Sequence, residues 1–355
     1  MKFVVAIDSF KGCMSSNEAN TAAGNVVLDV FPDAEIVSVP VSDGGEGWLD
    51  AFQEAAGGER VALSVCDPLM RTVQAEYLVN GDCGVIEVAK VVGLSLIANT
   101  ERNPLKATSY GVGQLLADAL RRGCRRLVVG LGGTATSDCG MGMLEALAQN
   151  LGFDKTERLL TLAEKTDIIL ATDVLNPLCG PMGAAEVFAP QKGADERCVK
   201  VLEKRAIRFA DKSARLCGHD FRDKPGAGSA GGLGYAFMQF LNARCQSGGE
   251  LLLQEGRFDD ILDGSDLVIT GEGSADAQTL MGKMPAVILR HAQKRNIPVW
   301  LLAGRVNNRS ALIDAGFDKV EEITPPLMPL SVALENTMAK RNLRKIIQEL
   351  TLNMF

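Results

Sequence analysis

The sequence predicts a doubly wound α/β protein, and three observations carry that expectation. Short apolar runs that read as strands alternate with stretches of helical apolar period. Polar, glycine-rich residues follow the apolar runs, where open parallel sheets bind their ligands. Hydrophobic residues make up 46% and charged residues 23% of the 355, a globular balance with material for two domains.

Residues 2–8 read as the first strand. Ser15-Ser16-Asn17-Glu18 has the form of a capping box, and Ala19, Ala22, Ala23, Val26, Val27, Val30 and Phe31 follow at helical spacing. Pro32-Asp33 breaks that helix, and residues 34–41 form a second strand ending in Ser42-Asp43-Gly44-Gly45-Glu46-Gly47. The C-terminal part repeats the grammar: a strand at 267–270, a helix at 286–294 opened by Pro285, and a strand at 297–303. A short helix at 310–315 closed by Gly316, a strand at 319–323 and a last helix at 332–350 complete it. Two strands at the start and three at the end make a flavodoxin-like sheet from residues 1–65 and 251–355. Residues 66–250 read as an inserted second α/β domain. It has strands at 84–88, 126–130 and 168–171 and helices at 109–122 and 197–216. The active site is expected in the cleft between the two domains.

Composition narrows the function. The net charge is −7 and no Lys/Arg stripe with interleaved aromatics occurs, which argues against nucleic acid. No apolar stretch approaches a membrane span, and the opening MKFVVAIDSF meets an aspartate at position 8, so it reads as a strand and not a signal peptide. The nine cysteines lack metal or disulfide spacing and read as thiols of a cytoplasmic protein. Only two histidines exist, His219 and His291, and each reads as a surface residue rather than a base. Chemistry then falls to carboxylates, lysines and backbone amides. A homodimer is among the assemblies left open.

Five strand ends carry small residues beside an acid: Asp8-Ser9-Phe10-Lys11, the 42–47 loop, GLGGTATSDCGMGM (130–143), Thr172-Asp173, and Thr270-Gly271-Glu272-Gly273-Ser274-Ala275-Asp276. In the 130–143 loop, Gly132, Gly133 and Thr134 fit a phosphate cradle of backbone amides. Asp138 either holds Mg²⁺ or starts the following helix. Lys11 can neutralise a phosphate or carboxylate, with Lys192 and Lys283 as weaker candidates. The acids Asp8, Asp43, Glu46, Asp173, Glu272 and Asp276 exceed what phosphoryl transfer needs, so some are structural. Gly226-Ala227-Gly228-Ser229-Ala230-Gly231 matches the dinucleotide pattern but lacks its preceding strand; backbone contact with a ligand at Gly231 stays open.

These segments together resemble the class I bacterial glycerate kinase family. The resemblance rests on DSFKG, SDGGEG, RNPLKATSYGVG, GLGGTATSD, DVLNPL, GPMGAAEVFAPQKGA, PGAGSAGGLG and TGEGSADAQTLMGK, spread from end to end of the chain. It implies ATP- and Mg²⁺-dependent phosphorylation of D-glycerate, in most relatives to 2-phosphoglycerate. On that reading ATP phosphates lie against Gly132, Gly133 and Thr134, with Lys192 and Gly231 nearby. Asp138 or Asp173 holds Mg²⁺, and Asp8 or Asp173 takes the hydroxyl proton. Lys11, Ser9, Asp43, Gly44, Gly45, Glu46, Glu272 and Asp276 surround the acceptor. The chain departs from the family pattern at Ile7, Thr134, Ser137 and Ser274, the last standing where a cation is usual, and in a shorter segment after Gly152. A kinase of another small hydroxy acid and a non-catalytic metabolite binder are the alternatives.

Overall fold

The computed structural model describes residues 1–354, apart from the side chains of residues 156 and 157. In chain order its strands are β1 (Lys2–Ile7), β2 (Glu35–Ser38), β3 (Glu59–Cys66), β4 (Thr72–Asn80), β5 (Cys83–Glu87) and β6 (Arg126–Gly130). Then come β7 (Asp167–Ala171), β8 (Arg244–Gln246), β9 (Leu267–Ala275), β10 (Val299–Val306) and β11 (Lys319–Glu322). They form two sheets, ordered β2-β1-β9-β10-β11 and β3-β4-β5-β6-β7-β8. The chain divides into two compact units. One holds Met1–Asp43, Asp50–Ala56 and Gly249–Phe355, the other Gly44–Leu49 and Gly57–Gly248.

In the first unit every strand pairing is parallel. Counted along the sheet, the order is 2-1-3-4-5, that of flavodoxin-like doubly wound folds. β1 is buried from Phe3 to Ile7, as suits a central strand covered on both faces. Phe3, Val5 and Ile7 share a core with Ile269, Trp300 and Leu302, and with Val27, Leu343 and Ile347 of helices Ser16–Val30 and Asn336–Leu352. The capping box forms: Ser15 accepts from the Glu18 amide while Glu18 takes the Ser15 amide. The next hydroxyl does more for function. Ser16 Oγ donates to the Ile7 carbonyl (2.6 Å) and accepts from the Val41 amide (2.9 Å). It thereby ties the residue before Asp8 to the chain that leads into Asp43.

The second unit is mixed. β3, β4 and β5 pair antiparallel, and β5 to β8 pair parallel. The β3–β4 hairpin was not anticipated from the sequence. Its signal was present: Val61, Leu63, Val65, Val73, Ala75 and Tyr77 alternate onto the core. Because β3 pairs with β4, residues 59–65 go with this unit, where the sequence reading had closed the first segment at 65. Helices Tyr110–Arg121 and Met141–Asn150 pack Val112, Leu115, Met143 and Leu147 against Leu127, Val129 and Leu170.

Three further expectations change. Glu272 to Ala275, read as loop, continue β9, since β10 also runs on to Val306 and pairs with them. Gly271 permits it: a Cβ there would lie 2.1 Å from the Leu302 carbonyl oxygen. The last helix is two helices, Leu330–Ala333 and Asn336–Leu352. His291 is not a surface residue; it is buried, with its ring nitrogens 2.9 Å from Asp259 and 3.0 Å from Glu250.

Candidate active site

The first unit collects acids where β1 and β9 end or extend. The Asp8 amide donates to Gly271 O (2.9 Å), and the Asp8 carboxylate accepts from the Ser9 amide (2.7 Å). Asp8 is buried. Burial first, then the Asp43 carboxylate, push it up to about 8, against the Ser9 amide and Lys11. Lys11 Nζ stands 4.0 Å from Asp43. Glu272 is buried as well; its Oε1 accepts from the Thr279 hydroxyl (2.6 Å) and its Oε2 lies 3.2 Å from Lys283 Nζ. Burial still raises its pKa over those two partners. Asp276 is used locally: its carboxylate accepts from the Gln278 amide, and its amide donates to the Thr279 hydroxyl. It shapes the turn that aims Thr279 at Glu272.

Asp8, Lys11, Asp43, Glu272 and Lys283 line a cavity of about 570 Å³ within the first unit. Asp8, Ser9, Lys11, Asp43, Glu272, Ser274, Lys283 and Arg305 contribute its polar wall, while Phe10, Ile323, Met328, Leu330 and Leu334 contribute apolar surface. A buried acid that titrates near neutral pH, beside cations and open to a cavity, is suited to accept a proton from a bound hydroxyl.

The second unit holds the 130–143 loop, and its glycines have different reasons. A Cβ on Gly132 would lie 2.5 Å from Gly45 Cα, and one on Gly130 would lie 2.7 Å from Gly44 O. A Cβ on Gly44, at φ +101°, would in turn lie 2.6 Å from Ala171 O. The two glycine-rich loops therefore pack backbone against backbone. Gly231, at φ +68°, is also a packing glycine: a Cβ would lie 2.0 Å from Thr136 O. The amides of Gly132, Gly133 and Thr134 donate no hydrogen bond to the protein among the described residues, so they remain available to an anion. Lys192 lies beneath them. It is buried, and its Nζ donates to Thr136 O (2.6 Å) and Thr134 Oγ1 (3.2 Å). Burial lowers its pKa to about 8, with Asp138 opposing.

Asp138 is a brace. Its carboxylate accepts from the Ser109 amide (2.8 Å) and hydroxyl (2.9 Å) and from the Thr108 hydroxyl (3.3 Å). The Gly140 and Gly142 amides (3.1 Å each) also donate to it. Those five donors fix the starts of helices Tyr110–Arg121 and Met141–Asn150 and leave little for a metal. Asp173 is half-buried two residues beyond β7, and Glu46 is exposed on the loop after Gly45.

The family model described as "Glycerate kinase family" matches residues 3–354. The chain belongs to the glycerate kinase family. It is 38% identical to "Glycerate kinase" of Bacillus subtilis (strain 168), over 95% of this chain and 94% of the relative. With "Glycerate 2-kinase" of Escherichia coli (strain K12) it shares 36% identity over 94% and 93%. A solved structure titled "Crystal structure of putative glycerate kinase 2 from Salmonella typhimurium LT2" superposes with a TM-score of 0.80 at 35% identity, covering 100% of this chain and 98% of that one.

Set beside this glycerate kinase fold, the sequence-picked residues fall into two groups. Asp8, Ser9, Lys11, Asp43, Glu272 and Asp276 are in the first unit, and all but Asp276 line one cavity. Gly44, Gly45, Glu46, Gly132, Gly133, Thr134, Asp138, Asp173, Lys192 and Gly231 are in the second. Sequence reasoning passed over Ser16, Thr279 and Arg305. Ser16 was visible only as a helix start, and Thr279 and Arg305 matter through tertiary neighbours. Among the described residues no helix is long and apolar enough to cross a membrane.

Proposed function

We propose that this glycerate kinase family member transfers the γ-phosphoryl group of ATP to D-glycerate and releases 2-phosphoglycerate and ADP. Relatives named glycerate kinase and glycerate 2-kinase supply the reaction class. The observation that carries the assignment of roles is Asp8. A carboxylate held up to about 8 by burial and by Asp43, and open to a cavity, is matched to general-base work near neutral pH.

In this scheme the acceptor hydroxyl gives its proton to Asp8 as its oxygen bonds to the γ-phosphorus. The bond from that phosphorus to the β–γ bridging oxygen breaks and ADP leaves. Lys11, on the exposed side of Asp43, attracts the anionic groups. Glu272, held by Thr279 and Lys283, and Ser9 shape the acceptor's surroundings. In the second unit the amides of Gly132, Gly133 and Thr134 receive nucleotide phosphates, supported by the Lys192 charge. Gly231 serves by letting its own segment pack against Thr136 of that loop, and Gly44 and Gly45 by packing against Gly130 and Gly132.

Among the described residues no group of three His, Cys, Asp or Glu side chains is arranged to hold a metal ion. That suits Mg²⁺ brought with a nucleotide, which keeps waters and phosphate oxygens and takes one or two protein carboxylates. We assign that contact to Asp173, because the Asp138 carboxylate is occupied by five donors. When bound, Mg²⁺ would neutralise charge on the phosphates.

The test is ADP release from purified protein with ATP, Mg²⁺ and D-glycerate, with L-glycerate as control and phosphorus NMR of the product. ADP that depends on the D isomer, with phosphate on the second carbon, is the expected result. No ADP above the L-glycerate control would reject the reading. Ser274, in a position where the resemblance leads one to expect a cation, favours one second reading: a kinase of another small hydroxy acid. A panel of such acids, with one preferred over glycerate, would establish it.

A further inference from the structure

We infer that Arg305 is the specificity-determining residue of the acceptor side, holding the carboxylate of the hydroxy acid in the cavity that Asp8 also lines. The inference rests on the acceptor reading given above and adds a residue to it.

Three cations line the cavity: Lys11, Lys283 and Arg305. Lys11 has Asp43 at 4.0 Å, and Lys283 has Glu272 at 3.2 Å. Arg305 has no ion pair and no side-chain hydrogen bond among the described residues. A guanidinium offered to a cavity without an acid partner has its donors available for an incoming anion. Its planar fork matches a carboxylate in two parallel hydrogen bonds, which a lysine cannot do.

Strand register fixes where that fork starts. Arg305 pairs with Ser274, and Ala303 pairs with Glu272, while Asp8 bonds through its amide to Gly271. Arg305 therefore stands two residues further along the sheet than Asp8, roughly 6.6 Å at 3.3 Å per residue, and two strands across from it, roughly 9.6 Å at 4.8 Å per strand, so their backbones are roughly 12 Å apart on the same face. An arginine side chain reaches about 6 Å from its Cα, and in a three-carbon 2-hydroxy acid the 2-hydroxyl lies about 3 Å from the carboxylate, from bond lengths. Such an acid can present its carboxylate to Arg305 and a hydroxyl to Asp8.

The position is also rigid. The Val306 amide donates to the Glu322 carboxylate (3.0 Å). A Cβ on Gly304 would lie 2.5 Å from Gly273 O, so β9 and β10 are in close backbone contact at this level. The arginine is mounted on a strand and not on a loop, which is what a specificity contact requires. Ser274, its register partner, is small and leaves room for it.

The experiment is steady-state kinetics of R305A, R305K and the exchange variant S274R/R305S, varying D-glycerate and ATP separately, with melting midpoints for each. For R305A the expected result is a KM for D-glycerate raised about 10- to 100-fold, as for loss of a charged hydrogen-bond pair, with the KM for ATP and the midpoint unchanged. R305K should recover little, and the exchange variant should recover part of the affinity, because it returns the fork to the adjacent strand. An unchanged KM for D-glycerate in R305A, or a rise confined to ATP, overturns the inference and leaves the kinase reading standing. If wild type ignores D-glycerate but phosphorylates another hydroxy acid, the same kinetics are run on that acid. A raised KM for it in R305A then supports Arg305 and rejects only glycerate. If wild type phosphorylates none of them, both fall.

Discussion

Replacing Asp8 by Asn separates the charge of the buried acid from its shape, because the amide keeps the size and can still accept from the Ser9 amide. Burial first, and then Asp43, raise Asp8 from 3.8 to about 8 in the folded chain. Between those values the folded protein keeps the proton and the unfolded chain has lost it. Stability from this group is therefore complete at low pH and falls as pH rises, by at most about 1.4 kcal/mol per pH unit, until it levels above the folded value. The whole window amounts to on the order of 5 kcal/mol as an upper bound, reduced by relaxation around Lys11 and Asp43. D8N does not undergo that loss. One kcal/mol moves a melting midpoint about 2–4 °C in a unit of this size. D8N should thus melt above wild type by a margin that widens by up to about 3–5 °C per pH unit between pH 5 and 8. Over the same range, log kcat/KM of wild type should climb with unit slope and level near the folded value. D8N should be slower by about 10²- to 10⁴-fold and lose the slope. A melting difference identical at pH 5 and pH 8 would refute the raised pKa, and D8N activity within threefold of wild type would remove Asp8 as the base.

Other expectations follow from the second unit. Lys192→Met should raise the KM for ATP about tenfold or more and leave that for D-glycerate unchanged. Its buried ammonium, lowered from 10.5 to about 8, makes wild type gain stability as pH rises between those values, and melting curves of the variant should lack that gain. Asp138→Asn should lower stability by about 2–3 kcal/mol in urea unfolding yet keep the Mg²⁺ concentration for half-maximal rate. Asp173→Asn should do the reverse, and an unchanged Mg²⁺ requirement would dismiss it as a ligand. Gly231→Ala puts a Cβ 2.0 Å from Thr136 O at φ +68° and should cost several kcal/mol, about 3 or more, by the same unfolding assay.

The first unit was legible because its information is local. A β1 that is apolar from Phe3 to Ile7, a complete capping box and three late strands each speak within a short window, and parallel pairing with helices between leaves few orders to choose from. Asp8 could be chosen as a strand-end acid for the same reason. Its raised pKa could not, because burial and Asp43 act through the fold. The 130–143 loop shows the opposite limit. From sequence Gly132, Gly133 and Thr134 fit a phosphate cradle, whereas in the fold Gly130 and Gly132 also answer to Gly44 and Gly45, and Gly142 to Thr108. Only the unpaired amides at 132–134 keep the anion reading, and their freedom depends on which carbonyls the rest of the chain brings near.

Arg305 is the sharper case. It follows Gly304 in a stretch with no acid, so nothing local marks it, while Ser274 reads as a lost charge. Strand register makes the two residues neighbours. A positive charge missing from β9 and one present on β10, facing the same cavity, can be a single relocation of one anion contact. On that reading the chain keeps its acceptor chemistry while moving the point that holds the acceptor's carboxylate. The exchange variant is informative for that reason: it asks whether the cavity reads charge at either strand, or only the fork that starts from Arg305.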